Sequence, residues 1–268
     1  MNKNETGITI DFGMKERKIA IIALKKEPAN AMSLEFWEQL LSALEECERE
    51  EHGIRAVIFE STVLKDVFTA GNDINELYAP VTDRERYRKF WLVQTNFLTK
   101  LLVSKLVTIA SIKGACPAGG TCLALCCDFR IQTKKGTFGL NEVMLGIPVP
   151  KFWARLFVQV SGKSESEKML LKGELVEPLV ALRFGLIDEC CDCVESLRKR
   201  AIEIAEKMVK LPADGYEKTK VNLRGEFAKA WNEYGVEESE SGFEMLSQPA
   251  IVEQLKRVLE SLKRPSKL

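Results

Sequence analysis

The apolar positions along the chain change period several times, and each change marks a predicted element. Ile8 to Phe12 and Lys18 to Leu24 are β-rich runs separated by Gly13-Met14-Lys15, the pattern of a hairpin. Ser33 stands where an N-cap belongs, with Glu35 in the following first turn. Behind it Leu34, Trp37, Leu40, Leu41 and Leu44 recur at helical spacing, one stripe that packs inward. Gly53 interrupts, and Ala56-Val57-Ile58-Phe59 reads as a buried parallel strand. The spacing predicts a long helix from about Asp83 to Lys105 and another buried strand over Val107 to Ile112. Strand, helix, strand in this rhythm predicts an α/β fold with parallel pairing.

The middle of the chain differs. Gly114 to Gly120 is a small-residue loop, and Thr121 to Cys127 is almost wholly apolar, as in a short buried helix. Asp128 to Gln132 and Thr137 to Leu140 resume strand patterns. From Val194 onward the pattern is helical. Val194, Leu197, Ala201, Ala205, Met208 and Leu211 form one stripe; Ile251, Leu255, Val258, Leu259 and Leu262 form another. The last helix has Pro249 near its start and Lys263-Arg264-Pro265 at its end. The expected division is an α/β core over residues 1–193 and a helical region over 194–268. No Gly/Ser-rich linker separates them, so they are expected to pack tightly.

Composition narrows the function. The 268 residues are 46% hydrophobic and 29% charged, with 39 basic against 39 acidic side chains. Balanced charge argues against a nucleic-acid partner, which calls for a basic excess. No apolar run approaches the ~20 residues that span a bilayer. The single histidine, His52, removes multi-His metal sites and most His-based triads. Met1 to Thr6 carries no apolar run, so the secretory route is not expected and the eight cysteines are read as reduced, mostly buried thiols. The chain ends Ser266-Lys267-Leu268, the receptor-read peroxisomal address. A peroxisomal matrix, or a related organelle such as a glycosome, is the expected location, with an import receptor as partner.

Several familiar signals carry no chemistry here. Ser161-Gly162-Lys163-Ser164 resembles the end of a phosphate loop, but Phe157 occupies the place of its first glycine. No G-x-G-x-x-G occurs. Cys190-x-x-Cys193 lacks the further ligands of a structural zinc site, so no metal is expected. Two loops carry more. Phe68-Thr69-Ala70-Gly71-Asn72-Asp73-Ile74 follows the strand at Ala56, and Gly114-Ala115-Cys116-Pro117-Ala118-Gly119-Gly120 follows the strand at Val107. Both lie beyond the carboxyl ends of strands, where α/β folds bind ligands. The second also opens a helix, whose first N–H groups are unpaired at a positive dipole end. Facing each other, such loops would give two N–H groups to one oxygen, an oxyanion hole.

Together with Phe138-Gly139-Leu140-Asn141-Glu142-Val143-Met144-Leu145-Gly146, the two loops resemble the crotonase (enoyl-CoA hydratase/isomerase) superfamily. The likeness runs from the first hairpin through Pro28-Ala29-Asn30-Ala31 to Gly185-Leu186-Ile187-Asp188, and more loosely over the helical end. Gly-Ala-Cys-Pro-Ala-Gly-Gly and Gly-Leu-Asn-Glu are similar to the Δ3,Δ2-enoyl-CoA isomerases of the mitochondrial short-chain type. The resemblance implies a spiral core of β-β-α units and an assembly of trimers or dimers of trimers. It implies an oxyanion hole at the N–H groups of Asn72 and Gly119, and acyl-CoA binding along Ala70, Gly71, Asn72, Asp73 and Ile74, with Gly119 and Asn141 alongside. CoA enters only as part of the substrate, and no other cofactor is implied.

Hydratases of this superfamily use two glutamates. One corresponds to Glu142; at the other position this chain has Cys122. Moving a double bond from C3 to C2 needs a proton removed at C2 and returned at C4, which one carboxylate does alone. The expected activity is therefore a Δ3,Δ2-enoyl-CoA isomerase of unsaturated fatty acid β-oxidation. An enoyl-CoA hydratase, or a non-catalytic acyl-CoA or RNA binder of this fold, is the alternative. Apolar neighbours Phe138, Leu140, Val143 and Leu145 would raise the Glu142 pKa. Phe152 and Trp153 are candidates for an acyl tunnel wall, ahead of Trp91 and Phe97.

Overall fold

A computed structural model describes residues 7–263. Its strands are β1 (Ile8–Asp11), β2 (Ile19–Leu24), β3 (Ala56–Ser61), β4 (Val107–Ile112), β5 (Cys116–Pro117), β6 (Phe129–Thr133), β7 (Phe138–Gly139) and β8 (Glu189–Cys191). Its helices are α1 (Leu34–Cys47), α2 (Ile74–Leu77), α3 (Arg84–Leu102), α4 (Gly119–Cys126), α5 (Lys151–Ser161), α6 (Lys163–Lys172), α7 (Pro178–Arg183), α8 (Val194–Met208), α9 (Ala213–Leu246) and α10 (Pro249–Lys263).

Six strands make one sheet in the order β1-β2-β3-β4-β6-β8. β1 and β2 form the expected antiparallel hairpin, and every later pairing is parallel. Helices cover both faces, which is why β2 and β4 are buried along their whole length, β2 as an unbroken apolar run and β4 with only Thr108 and Ser111 among apolar residues. Alternate side chains serve opposite faces. Ile19, Ile21, Ile58 and Ile109 meet Leu197, Ala201 and Ile204 of α8. Ala20, Ile22, Phe59 and Ala110 join the larger core with Trp37 of α1 and Phe97 of α3.

Several expectations need amending. Ser33 has the extended backbone of an N-cap but makes no cap bond; Glu76 Oε1 accepts the Leu34 N–H at 3.0 Å instead. That carboxylate is buried and held by Arg86 at 2.6 and 2.9 Å, so a charged pair outcompetes a hydroxyl. Thr137 to Leu140 shortens to β7, which pairs with β5 in a separate two-stranded sheet. β8 escaped the reading because Glu189-Cys190-Cys191 shows no alternation. The 34-residue α9 escaped it because much of the face it buries is small or polar: Lys220, Ala228, Gly235 and Ser239 beside Trp231 and Leu246. Cys193 caps α8, its Sγ accepting the Ser196 N–H at 3.5 Å. All eight cysteines are free.

Asp128 ties α9 to the sheet. Its nearly buried carboxylate accepts from Lys220 Nζ at 2.6 Å, Arg224 Nη1 at 2.7 Å and the Thr108 N–H at 2.9 Å. Lys220 is itself buried, and burial holds its pKa below the ordinary lysine value against the pull of Asp128. Removing one member of such a pair leaves a charge stranded, which costs about 3–5 kcal/mol. Asp128→Ala is therefore expected to lower unfolding stability by that amount in urea melts, and Asp128→Ala with Lys220→Met to recover part of it.

Candidate active site

The two loops singled out by sequence run side by side. Phe68 N–H donates to the Ala115 carbonyl at 2.8 Å, and Ala115 N–H to that of Asp66 at 3.1 Å. Further along, a Cβ added at Gly71 would lie 3.1 Å from Ala118 Cβ and 3.5 Å from the Gly119 nitrogen. Gly71 also has φ +86°, so only glycine suits both the turn and the approach. The first loop is clamped from behind by the segment before α1. Buried Asn30 donates from Nδ2 to the Phe68 carbonyl at 2.8 Å, and Thr69 Oγ1 donates to the Asn30 carbonyl at 2.6 Å.

This clamp decides where the Asn72 N–H points. Met32 bridges both sides of residue 72: its N–H donates to Gly71 O at 2.9 Å, and Asp73 N–H donates to Met32 O at 3.0 Å. In a parallel bridge the intervening residue turns its own N–H the other way. Among the described residues, the Asn72 N–H donates to nothing. Its side chain is fixed too, since Trp37 Nε1 donates to Asn72 Oδ1 at 3.1 Å. Gly119, the first residue of α4, likewise has an N–H with no acceptor among the described residues. A Cβ there would lie 3.0 Å from Asn72 Oδ1, so the two groups are neighbours. Ala118, just before it, sits at φ +51°, ψ −122°, a conformation that costs a non-glycine residue of order 1–3 kcal/mol. Its N–H is held by Gly139 O at 2.8 Å, and Thr121 Oγ1 accepts the Gly139 N–H at 2.9 Å.

Gly139 ends β7, and three residues later Glu142 opens a single 3-10 turn, Glu142–Leu145. Glu142 is 4% exposed, and among the described residues neither carboxylate oxygen has a hydrogen-bond partner. Burial pushes its pKa up to about 7, opposed only by its own backbone N–H. It lines a cavity of about 510 Å³ with Ala70, Asn72, Ile74, Ala118 and Asn141. Gly71 and Gly119 are not among its lining residues. Asp73 faces α2, where Oδ1 accepts the Asn75 N–H at 3.0 Å. Of the tunnel candidates, Trp153 and Trp91 line the cavity and stack on each other with centroids 6.1 Å apart. Phe152 stacks instead on Trp231, and Phe97 packs against Trp37 and Phe59. Val143 is exposed and gives Glu142 no cover. Sequence reasoning missed the α9 wall, where Tyr234, Glu238, Ser241 and Met245 line the cavity. Their spacing of four, three and four was the available signal.

Away from the cavity, Glu46, Glu51 and His52 bring three ligating atoms within 4.8 Å of one another. Arg49 already pairs with both of those glutamates, and His52 Nε2 lies 2.7 Å from Glu46 Oε1.

The sequence matches the enoyl-CoA hydratase/isomerase family model over residues 14–265. The chain belongs to the enoyl-CoA hydratase/isomerase family. Within it, the chain is 33% identical over 256 residues to the rat mitochondrial enoyl-CoA delta isomerase 1, covering 93% of this chain and 85% of that protein. The mouse protein of the same name is 31% identical over 252 residues, covering 92% and 84%. The crystal structure of human mitochondrial delta3-delta2-enoyl-CoA isomerase superposes with a TM-score of 0.90 at 29% identity, covering 96% of this chain and 98% of that one. An enoyl-CoA hydratase from Bacillus halodurans shares the fold, with a TM-score of 0.84 at 24% identity over 94% and 100% of the chains.

These family relatives correct one expectation. The mouse, rat and human delta isomerases are mitochondrial, which overturns the peroxisomal or glycosomal location drawn from Ser266-Lys267-Leu268. Three terminal residues weigh less than identity spread over some 250 positions, and those three lie outside the described residues. The import receptor rested on the same tripeptide. No helix among the described residues is long and apolar enough to cross a membrane.

A carboxyl whose pKa rises from 4.5 to about 7 on folding binds its proton more tightly in the folded chain. Stability is then lost as pH climbs through that window, by up to about 3 kcal/mol at 1.36 kcal/mol per unit. Glu142→Gln, which carries no charge to bury, is expected to be more stable than the parent at pH 8 and little different at pH 5. Urea melts at both pH values check this, and an equal difference at the two would contradict it.

Proposed function

We propose that the protein is an enoyl-CoA delta isomerase that moves the double bond of a 3-enoyl-CoA from C3 to trans-C2, with Glu142 as its only proton carrier. The carrying observation is the Glu142 carboxylate, buried with neither oxygen hydrogen-bonded among the described residues, its pKa pushed up to about 7 by burial, in the cavity that Asn72 also lines. The ionised carboxylate takes a proton from C2. The electron pair left behind delocalises into the thioester, giving a dienolate whose oxygen takes the N–H groups of Asn72 and Gly119. The carboxylic acid then returns the proton at C4, and the C2–C3 bond becomes double. A pKa near the working pH suits a group that must be base and then acid. One proton moves within the substrate and its oxidation level is unchanged, so the reaction calls for no redox group.

Cys122 supports this reading over hydration. It is fully buried in α4, where the resemblance sets a hydratase's second glutamate, and burial holds the thiol well above its ordinary pKa. A neutral thiol does not share the activation of water with Glu142. The assembly belongs to the same proposal, a trimer or dimer of trimers. Met144, on the Glu142 turn, and Leu171 leave large apolar surface exposed that a partner subunit would cover, and light scattering reads that assembly directly.

Turnover tests the shuttle. Wild-type protein is expected to generate the conjugated 2-enoyl absorbance from 3-enoyl-CoA and not to consume it from 2-enoyl-CoA in water. Glu142→Gln is expected to lose about 10²–10⁴ in kcat, the usual worth of a general acid–base group. Parental turnover in that variant would remove the mechanism.

A further inference from the structure

The cavity holds a second carboxylate that the proton shuttle leaves idle. Glu238 projects from α9, and both its oxygens are engaged: Oε2 accepts the Trp91 indole N–H at 3.2 Å, and Oε1 accepts the Lys151 backbone N–H at 3.1 Å. Lys151 is the first residue of α5, so the carboxylate also meets the positive end of that helix. Burial pushes the Glu238 pKa up, against these two donors and the Lys151 ammonium. Three elements therefore hold the side chain in one place, and Glu238 lines the cavity with Tyr234 and Ser241 from the same face of α9. The Lys151 ammonium stands 4.1 Å from the centroid of the Tyr234 ring. This helical wall carries polar groups among its apolar ones, whereas the turn that Glu142 opens leads into Leu145, Ile147 and Pro148.

A carboxylate oxygen accepts more than one hydrogen bond, so each Glu238 oxygen keeps acceptor capacity after its one donor. A saturated chain laid against it would strip water from that capacity and return nothing, and an unmatched buried polar group is unfavourable. A chain with a hydroxyl at that depth would donate to it.

Resting on the reading of this cavity as the acyl-CoA site, we propose that Glu238 makes it selective for acyl groups that carry a hydroxyl where the chain meets α9. Both the class of substrate and the residue that chooses it follow from the fixed carboxylate.

Binding of saturated esters tests this without any need for turnover. Hexanoyl-CoA, dodecanoyl-CoA and a series of dodecanoyl-CoAs with one hydroxyl moved along the chain would be titrated calorimetrically into wild type, Glu238→Gln and Glu238→Leu. Wild type is expected to bind at least one hydroxylated ester tenfold or more tightly than dodecanoyl-CoA. Glu238→Leu is expected to gain tenfold for dodecanoyl-CoA, to lose the hydroxyl preference, and to hold hexanoyl-CoA within twofold. The same loss for all three classes would mean that Glu238 only anchors α3 and α5, and would overturn the proposal. So would a wild type with no hydroxyl preference, which decides the matter even if the leucine variant fails to fold. Glu238→Gln keeps an acceptor and is expected to retain part of the preference. A wild type with the preference but no turnover of 3-enoyl-CoA would remove the isomerase reading and leave the acyl selectivity standing.

Discussion

A carboxylate taken out of water with no hydrogen bond in return is unfavourable, and a protein keeps one only where the surrounding structure leaves the side chain no other place. Glu142 is in that position. It stands three residues beyond β7, which pairs with β5 on one side and, through Phe138, with Val176 on the other. The chain then turns through the 3-10 turn to Gly146, and the first residue of that turn places its side chain in the cavity. Its raised pKa is a direct consequence of that placement. The stability of the sheet and its two covering layers offsets the cost.

The same small sheet links the carboxylate to the backbone donors. β5 belongs to the second glycine loop, and Gly139 of β7 holds the Ala118 N–H. Ala118 is strained, and that strain turns the next residue, Gly119, into the first turn of α4 with its N–H unspent. The first loop is set by a different device, the bridge at Met32, which faces the Asn72 N–H away from its partner strand. Base and donors thus rest on backbone hydrogen bonds within a few residues of each other, and little side-chain freedom separates them. A dienolate oxygen is the kind of charge such fixed dipoles stabilise best, because they do not reorganise as the charge forms.

Much of this was legible in the chain. Largely apolar runs at Ala56 and Val107 marked strands covered on both faces, and the almost wholly apolar Thr121 to Cys127 marked a helix with no surface side. The Gly-rich loops and Glu142 stood out because their residue types have few other uses together. The hidden parts share a physical cause. β8 is three residues long and takes its place from pairing with β6, a tertiary effect that local alternation does not carry. α9 buries small and polar side chains, so its periodicity is faint, and with it the Glu238 wall went unseen. Ser33 showed a cap in the sequence, but the distant Glu76 supplied the bond. The terminal tripeptide is the opposite case, a clear local signal outweighed by likeness along the whole chain.

The central claim is that a single carboxylate carries the proton from C2 to C4, and the fate of an isotope reads it most directly. A 3-enoyl-CoA deuterated at C2, turned over once in ordinary water, is predicted to yield 2-enoyl product with deuterium at C4, because a buried acid with no hydrogen-bond partner exchanges slowly with solvent. Product carrying only solvent hydrogen at C4 would contradict the account, since it would require a second group or a water molecule to deliver that proton.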